Sequence, residues 1–90
     1  MDRLAVMYFA YVLLSLKGKK RYYGLTNDLD RRVSEHNNGK VNSTKLRRPL
    51  KLVYFEQFET RLQARKREVY FKSGYGREFI NSKLNRGPVV

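Results

Sequence analysis

The sequence predicts an α+β domain, a three-stranded antiparallel sheet flanked by helices in the order ββαβαα. Three observations carry that prediction. Residues Val6–Leu16 are a run of β-branched, aliphatic and aromatic residues that breaks at Lys17-Gly18-Lys19-Lys20, as a strand entering a turn does. Two stretches, beginning at Thr26-Asn27 and at Thr60, place a capping residue ahead of a helical pattern. Between them, Lys51–Phe58 returns to strand composition.

The first strand barely alternates between apolar and polar residues, which places it centrally with both faces covered. Arg21–Leu25 returns from the turn and completes a hairpin. Asn27 or Thr26 then caps a helix running to about Asn37, with Asp28 and Asp30 in the first turn, where the helix dipole favours negative charge. Leu29, Val33 and His36 or Asn37 share one face of it, and Gly39 offers a left-handed terminus. Lys40–Pro49 reads as a basic loop that the proline closes. Thr60 and Gln63 have capping-box spacing for a helix to about Lys72, which Gly74 would end. A short helix over Gly76–Leu84 and a frayed Asn85–Val90 tail complete the chain.

Ninety residues fit one domain, with a core at about 6–84 and no room for a second. There is no cysteine, so neither disulfides nor thiolate-bound zinc brace it. Packing must hold it together, and the 41% hydrophobic content is enough to argue against global disorder. Twenty lysines and arginines against eight acidic residues give a net charge of +12, a field that attracts polyanions, nucleic acid first among them. Charge alone does not separate DNA from RNA, and a ribosome-associated protein would share it. The apolar run Leu4–Leu14 is shorter than the ~20 residues of a spanning helix. No small-residue cleavage site follows it either, so the expectation is a soluble cytoplasmic protein.

The residues that could carry chemistry fall in a short stretch and one later helix. Tyr11 and Tyr22 stand on successive strands of one hairpin, so both can face one region. Packed rings are the commoner fate of strand tyrosines. A phenol, with pKa ~10, becomes a base at neutral pH only where cations lower that value. Arg32 and His36 are four apart on the first helix and share a face. A guanidinium there can hold a phosphate while the imidazole orients a phenol or water, although a capping or packing histidine explains His36 as well. Glu68 is isolated among cations, and a single carboxylate can suffice for a hydrated magnesium ion that shares oxygens with a substrate phosphate. An ion pair with Lys72 explains the same residue. Lys40, Ser43, Thr44, Lys45, Arg47 and Arg48 form a loop suited to binding phosphates without reading bases.

The order and spacing of these groups resemble the GIY-YIG nuclease family. The likeness is to its small single-domain members, similar to the N-terminal part of excision-repair endonuclease C, and covers roughly Met7 to Lys83. Phe9-Ala10-Tyr11 stands where the family has Gly-Ile-Tyr, and Tyr22-Tyr23-Gly24 where it has Tyr-Ile-Gly. Arg32 and His36 match the arginine and histidine of the following helix, and Glu68 the metal-binding glutamate of the later one. The resemblance implies an endonuclease that hydrolyses phosphodiesters of duplex or branched DNA with one Mg2+ or Mn2+ ion, in repair or recombination, with RNA not excluded. Tyr11 would accept the proton of the attacking water, with Tyr22 and His36 positioning it. Arg32 would steady the phosphate, Glu68 would hold the metal, and Asn81 would border the site. A catalytically silent nucleic-acid-binding module of the same fold is the alternative.

Overall fold

The computed structural model describes residues 6–85. Strand β1 (Tyr8–Ser15) and strand β2 (Arg21–Thr26) form the hairpin, and helix α1 (Leu29–Asn37) follows. A short 3-10 turn over Lys45–Arg47 leads into β3 (Leu50–Phe58), then α2 (Arg61–Phe71) and α3 (Gly74–Leu84). The sheet is antiparallel in the order β2-β1-β3, so the most apolar strand is central.

Both faces of β1 are covered, as its lack of alternation predicts. Ala10 and Val12 point to one side and pack with Phe71 of α2 and Ile80 of α3. Tyr11 and Leu13 point to the other and pack with Leu50, Leu29 and Val33, the last two on α1. A helix pair thus lies on one face and α1 on the other. β3 carries one extra residue, Val53, where its register shifts between Val12 and Leu13 of β1. No helix among the described residues is long and apolar enough to cross a membrane.

Local signals hold in most places and are corrected in three. The α1 cap is Asp28, not Asn27 or Thr26: its carboxylate accepts the Arg31 backbone N–H at 3.1 Å. Thr26 is still in β2, where its hydroxyl accepts the Asp28 N–H and so braces the cap from the strand. Because the helix starts at Leu29, Arg31 and Arg32 lie near its N-terminal end. Gly74 does not end α2. It opens α3, because the Ser73 hydroxyl accepts the Gly76 N–H and starts a new helix at once. The Thr60–Gln63 capping box is present in both directions, and Gly39 takes φ +78° just past α1. The predicted tail lies outside the described residues beyond Asn85.

The end of α1 is tied to the sheet through Asn37. Its side-chain amide donates to the Leu50 carbonyl at 2.9 Å and accepts the Leu50 N–H at 2.8 Å, imitating a strand partner at the start of β3. That clamp fixes the neighbouring His36 relative to the sheet.

Candidate active site

Strand register sets up the site. Tyr11 is directly opposite Gly24, and Leu13 is opposite Tyr22, so both tyrosines belong to the α1 face of the sheet. A Cβ at residue 24 would collide with the ring and hydroxyl of Tyr11. The glycine therefore lets the phenol lie across β2 and reach the far edge of the sheet, where α2 packs. There the hydroxyl opens into a cleft of about 280 Å³ lined by Tyr11, Tyr22, Arg32, His36, Arg61, Arg65 and Glu68, with parts of β2 and of the 41–44 segment.

Three contacts fix the Tyr11 hydroxyl and its neighbour. His36 Nε2 is 3.2 Å from Tyr11 Oη, the Arg32 Nε–H donates to that oxygen at 3.4 Å, and His36 Nδ1 is 2.8 Å from Thr44 Oγ1. The Thr44 hydroxyl in turn has the Val41 carbonyl as an acceptor at 3.5 Å. One proton on Thr44 can serve only one direction. With it on the carbonyl, His36 Nδ1 must be the protonated nitrogen, and Nε2 is left with a lone pair facing the Tyr11 O–H.

The electrostatics keep the imidazole neutral, as either tautomer requires. Burial pushes the His36 pKa below its ordinary value and the Arg32 charge pushes it further, against a smaller upward pull from Glu35, so the imidazole is neutral at neutral pH. Burial raises the Tyr11 phenol. The Arg32 hydrogen bond and charge pull it down, Glu68 and Glu35 push it up, and the net direction is up. The lowering by cations expected from sequence is present through Arg32 but does not outweigh burial. Arg32 remains a firm cation, held by Tyr11 and by Glu35 at 3.0 Å.

Glu68 enters the cleft from α2 and is only 7% exposed. One oxygen pairs with Arg65 at 3.4 Å and the other with Lys72 at 3.2 Å. The Lys72 pair is thus real, but it is not a surface bridge, since the carboxylate is buried. No group of three or more His, Cys, Asp or Glu side chains that could hold an ion is present among the described residues. The donor set still fits a hard, hydrated divalent ion that takes one carboxylate and completes its shell with water and phosphate oxygens. Both cationic partners are about half exposed or more and can swing aside.

The predicted loop divides. Thr44 is buried at 1% exposure with its hydroxyl on His36, so it is part of the site's interior and is not a solvent-facing phosphate contact. Ser43 lines the cleft. Lys45 and Arg48 line a separate hollow with Lys17, while Lys40 and Arg47 are exposed and line neither. Asn81 is bound to Arg21 Nη2 at 2.6 Å and is not in the cleft lining. Sequence reading missed Arg61 and Arg65. Their signal was present, since residues 61, 65, 68 and 72 recur at helical spacing and form one stripe of α2 around Glu68.

Comparison with known proteins decides the family. Residues 7–85 match the model of the GIY-YIG catalytic domain. The chain belongs to the GIY-YIG family. It is 46% identical over 66 residues to UPF0213 protein YazA of Bacillus subtilis, which covers 72% of this chain and 66% of that protein. It is 45% identical over 67 residues to UPF0213 protein CPE1444 of Clostridium perfringens, 73% of this chain and 71% of the relative. The solution structure of UPF0213 protein BH0048 from Bacillus halodurans superposes with a TM-score of 0.53 at 33% identity, over 91% of this chain and 88% of the other. The GIY-YIG fold is a nuclease fold that acts on DNA, and its members generally use a divalent metal. The Phe9-Ala10-Tyr11 and Tyr22-Tyr23-Gly24 segments, which resemble the pair that names the family, both lie within the matched residues.

Proposed function

We propose that this protein is a divalent-metal-dependent endonuclease that hydrolyses DNA phosphodiesters, and that the Tyr11–His36–Thr44 hydrogen-bonded chain is its proton path. The observation that carries the reading is the Tyr11 hydroxyl, which lies 3.2 Å from His36 Nε2 and accepts from the Arg32 guanidinium in the lining of a cationic cleft. As a water attacks phosphorus, its proton passes to the Tyr11 oxygen while the phenol's own proton passes to His36 Nε2. Tyr11 is then the general base and His36 the terminal acceptor. Thr44 keeps the acceptor nitrogen free, and Arg32 steadies the phosphate oxygens on which charge accumulates. Tyr22, on the same wall, positions the phosphate or the water. Glu68 is the ligand for one Mg2+ or Mn2+ ion, which would supply charge neutralisation at the leaving oxygen. Ser43 and the exposed cations Lys40, Lys45, Arg47 and Arg48 add contacts to flanking phosphates.

One observation favours a second reading, a binding module without chemistry: both Glu68 oxygens are already paired with cations. Supercoiled plasmid separates the two. Nicking that needs magnesium or manganese, stops with chelator and is absent from Glu68→Gln supports the nuclease. Intact plasmid with every divalent ion tried, alongside tight binding, supports the module.

A further inference from the structure

A second cleft of about 260 Å³ adjoins the first along the outer edge of β2. The two share Leu25, Arg32 and Arg61 as common walls. We propose that this second cleft is a phosphate subsite for the phosphodiester next to the scissile one on the same strand, with Arg61 and Arg31 as its ligands. The inference deepens the nuclease reading above and rests on it for the direction of the strand past Tyr11.

The charges are arranged for a polyanion running along the strand edge. Arg31 and Arg32 line one side from α1, and Arg61 faces them from the start of α2. The single acid in the cleft, Glu35, sits with Arg32 at 3.0 Å and Arg31 at 3.8 Å, so its charge is already compensated. Arg31 is oriented further by donating to Asn27 Oδ1 at 3.2 Å.

Arg61 is the residue that stability does not explain. It is exposed and forms no ion pair with any other described residue. It also occupies the first position of α2, where the helix dipole disfavours a cation and where no acid lies in the first turn. Among the described residues that guanidinium has no anionic partner, and a phosphate would supply one. Its planar fork suits two phosphate oxygens, and its position on the shared wall spans the two clefts.

The test is a ladder of short thymidine oligonucleotides bearing one, two and three phosphates, titrated by NMR with chelator present so that nothing is cleaved. In the parent protein, the second phosphate should tighten binding several-fold, and shifts should appear at Arg61 and Arg31. Arg61→Gln should lose most of that increment, and its affinity should fall by a larger factor for the two-phosphate than for the one-phosphate oligonucleotide, because Arg61 also lines the first cleft. Its salt slope on single-stranded DNA should fall by about 0.7, the loss of one neutralised phosphate. Arg31→Gln should lose part of the same increment. Because Arg61 is exposed and has no ion pair among the described residues, the glutamine protein should melt with the parent. An Arg61→Gln protein with an undiminished increment and slope overturns the subsite, even if the parent nicks plasmid. A parent that shows the increment but never nicks plasmid keeps the subsite and refutes the nuclease.

Discussion

The phenol of Tyr11 crosses β2 over the backbone of Gly24, its directly paired neighbour, and only the missing Cβ leaves room for it. The two family motifs, one on each strand, are thus a single steric device. The tyrosine of the first reaches the cleft because the glycine of the second lets it pass. Gly24→Ala should push the ring off β2, overpack the strand pair and cost roughly 1–3 kcal/mol of stability. It should also remove cleavage, because the hydroxyl leaves His36 and Arg32. Thermal melts and plasmid nicking check both effects. A protein that melts and nicks like the parent would show that the ring does not need this path.

Thr44 should matter through its hydroxyl alone. Thr44→Val keeps the shape but leaves His36 Nδ1 without a partner, a loss of about 1–3 kcal/mol for an unsatisfied buried group. It also frees His36 to adopt the other tautomer, with a proton on Nε2 that blocks transfer from Tyr11. Thr44→Ser should restore both stability and nicking. Nitrogen-15 shifts of the imidazole report the tautomer directly. An Nε2-protonated His36 in the parent would overturn the proton path.

Much of this arrangement was legible in the sequence, and the gaps have physical causes. The central strand, the hairpin and the Thr60–Gln63 cap rest on local chemistry and were found where they were expected. The α1 cap was misplaced because Thr26, Asn27 and Asp28 are all competent caps; only the length of β2 decides among them. Gly74 misled because a glycine stops a helix or begins the next according to its neighbour, here Ser73. Thr44 was read as a loop hydroxyl for phosphate because the fold of 40–49 back onto α1 is tertiary. Nothing in the spacing reveals that residue 44 reaches residue 36. The net direction of the Tyr11 pKa was hidden for the same reason, since it depends on burial.

The pH dependence follows from His36. Its folded pKa lies below the ordinary 6.5, so the unfolded chain binds a proton first as pH falls. The stability this group contributes is therefore complete above the unfolded value and is lost as pH drops toward the folded one. Nicking should fall over the same acidic range, because a protonated Nε2 cannot accept from Tyr11. Melting temperatures and initial rates between about pH 8 and 4 should decline on the acid side, and His36→Gln should flatten that limb of the melting curve.

Tyr11→Phe and Arg32→Ala separate chemistry from binding. Tyr11→Phe loses one hydroxyl and keeps the ring that packs with Leu13 and Leu50. It should fold and bind DNA like the parent, yet cleave about 10²–10⁴-fold more slowly, the usual worth of a positioned acid or base. Arg32→Ala should also lose cleavage, but it removes a guanidinium that lines both clefts. Affinity should fall with it, and the slope of log K against log salt should become shallower by about 0.9 on duplex DNA. Removing Arg32 should further raise the Tyr11 pKa, because its hydrogen bond and charge both hold that value down. The comparison is made by nicking in magnesium and by titrating the same DNA with chelator present. If Tyr11→Phe nicks at the parental rate, the phenol is a packing residue and another base must activate the water. If Arg32→Ala binds with the parental salt slope, Arg32 touches no phosphate and its hold on Tyr11 is its whole role.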